Sequence, residues 1–335
     1  MTAYLIRRAL QIIPTVFFAL SFLFFLFFAL PGDPATLIAG GANRVPDPIQ
    51  IEQINERYGF DDPLLVQFKD YWGRTIRWDL GESFQTGRSV NDILGEKAIA
   101  SLRLSIWAII IEVMVGISVG LLSAIRRYSW SDQATTIVTA GLSAVPVFVL
   151  GYFLQYGFAV VPEKQGWPDW MHLRTSQLGP DTWALFFIPT GEQWRYLILP
   201  AITLACVSTA LAARMTRGSM LEVLRADYMR TARAKGLRER SVVTRHGLRN
   251  AMLPVITLIG IDFGTVIGAA VLTETVFSWP GLGSAISNSV LDRDLPITLG
   301  LTLAVVVAYS VINLAVDLSY AWFDPRIRLG QEGNA

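Results

Sequence analysis

The sequence predicts an all-α integral membrane protein with six transmembrane helices. Three observations carry that prediction. Hydrophobic residues make up 52% of the 335 and charged residues only 16%, where a soluble domain carries about 25% charged; mean hydropathy is +0.43. Apolar runs long enough to cross a hydrocarbon core of about 30 Å recur along the chain. The cations are segregated. Short segments assigned to the inner side carry 16 of the 28 Lys and Arg, and the far longer outer segments carry 12, which is the density bias of the positive-inside rule.

Residues 1–30 hold a short N-terminus ending in Arg7-Arg8 and a first span, Ala9 to Leu30. The run is too long for a signal peptide and no A-x-A site follows, so it reads as an uncleaved span with its N-terminus inside. Residues 31–97 form an external excursion that opens with LPGDPA and carries Tyr58, Tyr71, Trp72 and Trp78 near the interface, where such rings are favoured. Residues 98–322 form a core of five further spans. Span two runs from Ala98 to Ile125 and ends at Arg126-Arg127. Span three runs from about Gln133 to Val161, with Pro146 as a kink. A second excursion at 162–195 contains Trp167, Trp170 and Trp183, as interface anchors or as a docking surface. Span four is about Tyr196 to Ala213, span five about Ala251 to Thr273, and span six about Pro296 to Trp322. TETVFSWPGLG after span five reads as an external re-entrant or interfacial turn bent at Pro280-Gly281. Residues 323–335 are a tail that, like the N-terminus, falls on the inner side.

Between spans four and five lies the one long, densely basic segment, 214–250. It holds ten of the 28 cations against three acids, Glu222, Asp227 and Glu239. Met220, Leu221, Val223, Leu224, Tyr228 and Met229 recur at helical spacing, which suggests a surface helix with one apolar face. Gly236 then reads as a left-handed cap, and a second short helical run spans about Glu239 to Leu248. A helix–turn–helix elbow follows from this pattern; a solvated basic loop that only fixes orientation is the alternative.

Acids inside predicted spans are functional candidates because burying them is costly. Glu112 shares a helix face with Gly116 and Gly120, a spacing that permits close helix approach and points the acid into the bundle. Gly260, Gly264 and Gly268 form a stripe in span five, with Asp262 on roughly the opposite face; span six carries Asn313 and Asp317. For Glu112, Asp262 and Asp317 the competing reading is a structural hydrogen bond or a position nearer the interface.

The composition also excludes. Cys206 is the single cysteine and lies in an apolar run, so no intramolecular disulfide forms and packing is its role. Two histidines, His172 and His246, cannot build a His-based metal cluster alone. None of the four lysines stands in a Gly-Lys-Ser/Thr context, so there is no P-loop. No nucleophile–base or metal-ligand pattern appears, and an enzyme is not expected. The net charge of +1 does not indicate nucleic acid.

At YLIRRALQIIPT, LPGDPA, YMRTARAKGL, RHGLRNAMLP, LTETVFSWPGLG and NLAVDLSYAWFDPRIR the chain resembles, over nearly its whole length, the permease subunits of bacterial ABC importers of the dipeptide/oligopeptide/nickel branch. The general permease motif, E-A-A, three residues, Gly, nine residues, I-x-L-P, laid on Gly236 places Arg230, Thr231 and Ala232 at E-A-A and His246, Gly247, Leu248 and Arg249 at I-x-L-P. Only Ala232, Gly236 and Leu248 agree with the general form. The resemblance implies a type I importer permease fold and an elbow that couples to a cytoplasmic ATPase through Arg230, Thr231, Ala232, Arg233, Ala234, Lys235, Gly236, Leu237, His246 and Leu248. Gly236 would set the elbow angle, Ala232 and Leu248 would pack against the partner or brace the elbow, and Arg230, Arg233, Lys235 and Arg238 would supply charge complementarity. It further implies a second, similar permease subunit, two ATPases holding ATP and Mg, an external substrate-binding protein, and a bacterial cell membrane location, with short peptides, nickel complexes or glutathione-like compounds as cargo. A self-contained ion-coupled transporter using Glu112, Asp262 and Asp317 as a relay is the alternative; it calls for internal repeats, and no clear duplication appears.

Overall fold

A computed structural model describes residues 2–29, 35, 36, 39, 47–169, 172–174 and 183–323. Most of LPGDPA, Trp170, residues 324–335 and the side chain of Asp317 lie outside the described residues. The chain is almost wholly helical: α1 Thr2–Ala29, α2 Pro48–Tyr58, α3 Leu64–Thr75, α4 Val90–Ile125, α5 Trp130–Ala144, α6 Val147–Lys164, α7 Gln193–Val223, α8 Asp227–Ala234, α9 from Glu239 to Val276, α10 Leu282–Leu291 and α11 Leu295–Phe323. A two-stranded hairpin, β1 Trp183–Ala184 against β2 Ile188–Pro189, precedes α7. By length and composition four helices can cross a membrane, and six spans result if the α5–α6 pair and the bent α9 each count as one.

The chain divides into two compact units. The first comprises residues 1–100 and 281–310. Its core gathers Leu20, Phe24, Leu80, Val90, Leu299 and Leu301, all buried. Asp47 caps α2 by accepting from the Ile49 N–H (3.0 Å), Pro48 fills the first turn, and Gly59 at φ +67° ends the helix. These are the residue types that helix ends demand. On α3, Phe68, Tyr71 and Trp72 lie against Phe17, Phe24 and Phe25 of α1, with centroids 5.0–6.4 Å apart. Phe17 and Phe24 sit inside the apolar stretch Leu10–Phe27. Tyr71 and Trp72, read from sequence as interface rings, therefore pack on a membrane helix. Asp294 accepts from Ser83 Oγ (2.6 Å) and the Phe84 N–H (3.2 Å), tying the loop before α4 to the loop before α11.

The second unit comprises residues 101–280 and 311–335. Its centre is α7, which packs against α4, α5, α6 and α9. Two glycines make the α4 contact close. A Cβ on Gly116 would lie 2.8 Å from Ala212 Cβ, and one on Gly120 would lie 2.4 Å from the Ala213 carbonyl oxygen. The face that Glu112, Gly116 and Gly120 share is thus the one pressed on α7.

Several boundaries differ from the sequence reading. Pro146 does more than kink span three, because α5 and α6 meet at 108°. Span four continues ten residues past Ala213, so Met220, Leu221 and Val223 end α7 and do not begin a surface helix. The run Glu239–Leu248 is likewise no separate helix. A π turn, Val242–Leu248, carries it directly into Arg249–Val276. TETVFSWPGLG ends α9 and starts the short helix α10, with Phe277 and Trp279 each 2% exposed.

Candidate functional site

The elbow is built in three pieces. The end of α7 turns through residues 224–226 into α8, an eight-residue amphipathic helix whose Met229 and Ala232 are buried and whose other side chains face outward. Gly236 follows at φ +74° with open space around its Cβ position. Its N–H donates to the Arg233 carbonyl at 2.9 Å, so a left-handed cap does close the helix. The chain then reverses into α9. Across that turn Arg233 forks onto Glu239 (2.9 and 3.1 Å), an exposed pair that sets geometry more than it adds stability.

Met229, Ala232 and Val242 form one buried cluster; Ala124, Met220, Val243 and Ala251 form its neighbour, with Leu248 packed against it. Both methionine methyls approach Gly247, at 3.2 Å from Met229 and 3.4 Å from Met220 to a Cβ placed there. Ala232 and Leu248 therefore brace the elbow. Arg230, Thr231, Ala234, Lys235, Gly236 and Leu237 are exposed, while His246 is half-buried. The exposed apolar groups are Leu237 and Tyr228, and Tyr228 is the surface residue that sequence reasoning placed on the wrong face. Its apolar neighbours at helical spacing were the available signal, but Met220, Leu221 and Val223 belong to the end of α7.

Of the membrane acids, the structure brings Glu112 and Asp262 together. Glu112 starts a π turn, Glu112–Gly116, and is 1% exposed. The Asp262 carboxyl faces it from α9. Among the described residues neither Glu112 oxygen has a hydrogen-bond partner within bonding geometry, nor has the buried Asp262 Oδ2, while Oδ1 accepts from Thr265 at 2.7 Å. Asp262 itself is half-buried.

Three buried acids escaped the sequence reading: Asp294, described above, Glu274 and Asp132. Glu274 is fully buried near the end of α9 and accepts from Ser101 Oγ at 2.5 Å. Asp132 is 3% exposed at the start of α5 and is held by Arg217. Glu274 stood in an apolar helix and could have been picked by the same rule as Glu112. The Asp132–Arg217 pairing is separated by 85 residues and had no local signal. At the N-terminal end of α7, Arg195 donates to the His172 carbonyl and to Asp169 (both 3.1 Å) and holds the Asp169 carboxyl below the usual carboxylate range.

An amphipathic elbow joined rigidly to two spans is what a membrane subunit driven from outside the bilayer needs, and comparison with known proteins bears on that reading. Residues 116–329 match the binding-protein-dependent transport system inner membrane component, and residues 1–105 match the N-terminal part of the membrane component of such systems. The chain belongs to this family. It is an ABC importer permease subunit.

The permease is 38% identical over 331 residues to the glutathione transport system permease protein GsiC of Shigella flexneri serotype 5b (strain 8401), covering 98% of this chain and 99% of that one. The same identity and coverage hold for its counterpart in Escherichia coli (strain K12). Among solved structures, a chain from the crystal structure of an amino acid ABC transporter with histidines matches with a TM-score of 0.50 at 14% identity. The match covers 70% of this permease and 94% of that chain, which supports the type I importer-like helical fold alone. The family match over 116–329 contains the elbow, Glu112's partner Asp262 and the α5–α6 break; Glu112 falls between the two matched segments.

Proposed function

We propose that this permease forms half of a translocation pathway for short peptides, glutathione among them, and that the elbow couples it to cytoplasmic ATPases. The observation that carries the reading is the elbow itself: an exposed basic surface on a backbone locked from below by Met229, Ala232 and Val242. A partner pushing on such a surface moves α7 and α9 together, because Met229 and Ala232 pack against Val242 of α9 and Val223 of α7. Arg230, Lys235 and Arg238 steer the partner electrostatically, and Tyr228 and Leu237 supply the apolar contact. Full-length similarity to glutathione permeases supports a small peptide-like cargo.

In this reading the complex contains a second homologous permease, two ATPase chains that bind ATP and Mg, and an external binding protein. Both termini and the elbow lie on the cytoplasmic side, in keeping with the basic density of the elbow. This chain contributes no ATP site. Asp262 contacts cargo, Glu112 acts through Asp262, and Asp317 lies on the inner half of α11. Nickel complexes are the second cargo class of the branch that the sequence resembles.

The test is ATP hydrolysis by the complex that co-purifies with this chain, measured with the binding protein and either glutathione, a dipeptide pool or a nickel chelate. Stimulation by glutathione or dipeptides is expected. Stimulation by nickel chelate alone reassigns the cargo, and absence of any co-purifying ATPase refutes the coupling reading in favour of an ion-coupled carrier. Glu112→Gln and Asp262→Asn with parental uptake at parental expression would remove those two acids from the pathway.

A further inference from the structure

The stretch of α7 that leads into the elbow is fastened to the α4–α5 hairpin by two arginines three residues apart. Arg217 meets Asp132 in a planar fork, Nε to Oδ1 at 2.6 Å and Nη2 to Oδ2 at 2.9 Å. The same carboxylate accepts from Ser123 Oγ (2.5 Å), near the end of α4, and from the Tyr128 N–H (2.9 Å) in the connecting loop. Tyr128 holds φ +66°, a backbone that L residues rarely adopt, so the carboxylate fixes a conformation the loop would otherwise leave. Two turns further along α5, Arg214 Nη1 donates to the Thr139 carbonyl (2.8 Å) and Ser143 Oγ (2.9 Å).

Asp132 is therefore a buried hub where three segments meet on one arginine of the fourth. A bidentate charged fork resists both sliding and rotation, unlike an apolar contact that can shear. Arg217 lies six residues before the end of α7, and Met220, in the same turn, already belongs to the braced base of the elbow.

We propose that Asp132, Arg217 and Arg214 are positioning residues that carry displacement of the elbow into the α4–α5 hairpin. This inference rests on the coupling reading above. When an ATPase moves the elbow, α7 and the hairpin follow as one body, and without the link α7 moves past α5 and hydrolysis continues with little transport.

The complex with its ATPases is reconstituted into vesicles, and uptake of glutathione and dipeptides is measured beside ATP hydrolysis. Asp132→Asn or Arg217→Gln alone strands a group in a buried place. The double variant removes both charges, so its unfolding temperature recovers above that of either single variant. Uptake per ATP in the double variant is expected to fall about fivefold or more, the low end of typical coupling. Arg217→Lys keeps the charge without the fork and is expected to lie between. Arg214→Gln, at an exposed site that folds regardless, is expected to lose about half of the ratio. Parental uptake per ATP in the double variant overturns the proposal. If neither Asp132 nor Arg217 tolerates change, parental uptake per ATP in Arg214→Gln overturns it. A parent complex whose hydrolysis ignores every solute refutes the coupling reading itself, a result separable from failure of the link.

Discussion

Glycines in this permease fall into three physical kinds, and each kind predicts a different mutational response. Gly120 is a contact glycine: a side chain there meets the Ala213 carbonyl oxygen at 2.4 Å and Thr216 Cβ at 2.7 Å. Gly120→Leu must push α4 off α7 and is expected to cost about 1–3 kcal/mol, read as a lower unfolding temperature in detergent. Gly218 sits exposed on α7 with nothing within 4 Å. Gly218→Ala is expected to be neutral or to gain up to about 1 kcal/mol from helix propensity. Gly236 is a conformational glycine with room but a left-handed backbone. Gly236→Val is expected to cost about 1–2 kcal/mol locally and to uncouple hydrolysis from uptake, with Gly236→Asn milder because Asn tolerates that region. Equal uptake per ATP in all three would show that the elbow angle does not matter.

At the scale of elements, what the sequence revealed and what it hid divide by the range of the interaction. The Gly236 cap and the Glu112–Gly116–Gly120 face depend on residues within two turns, and both were readable. Helix continuity was not. The cations Arg214 and Arg217 made the end of α7 look like loop, because their partners Thr139, Ser143 and Asp132 lie 71–85 residues away. Met220, Leu221 and Val223 were then assigned to the surface helix, which begins only at Asp227. Pro146 announced a break, but the 108° angle is fixed by what α5 and α6 pack against. Residues 31–97 hid a further long-range fact, the aromatic seam between α3 and α1. Phe24 lies 5.4 Å from Phe68 and 5.5 Å from Tyr71, centroid to centroid. Such pairs contribute about 0.5–1.5 kcal/mol each, so Phe24→Ala is expected to loosen α3. The measurement is trypsin cleavage at Arg74 and Arg77, both exposed at the end of that seam. Faster cleavage than in the parent is expected, and an unchanged rate would mean that α3 is held by other contacts.

For the whole molecule, orientation decides whether the elbow can meet an ATPase at all. The cation density predicts 214–250 inside and 31–97 outside, and that prediction can be tested one residue at a time because the chain has a single cysteine. Cys206 lies half-buried in α7, inside a candidate span, where a reagent that does not enter the bilayer has little access. A cysteine placed at Leu237, 42% exposed beside the Gly236 turn, or at Trp78, 51% exposed in the first excursion, supplies a clean signal against that background. With a maleimide too polar to cross the bilayer, Leu237→Cys should label only in inside-out vesicles and Trp78→Cys only in intact cells whose outer face is open to the reagent. The reverse pattern would place the basic elbow outside, where no ATP-driven partner can reach it, and would overturn the coupling assignment whatever its geometry. Labelling of both positions from the same side would show an even number of crossings between them, where three are now counted, α4, the α5–α6 pair and α7. In particular, α5 and α6, bent at 108°, would then enter and leave by one face. The outcome therefore decides whether the α5–α6 pair is a crossing, one of the two spans that helix length and apolarity alone leave open.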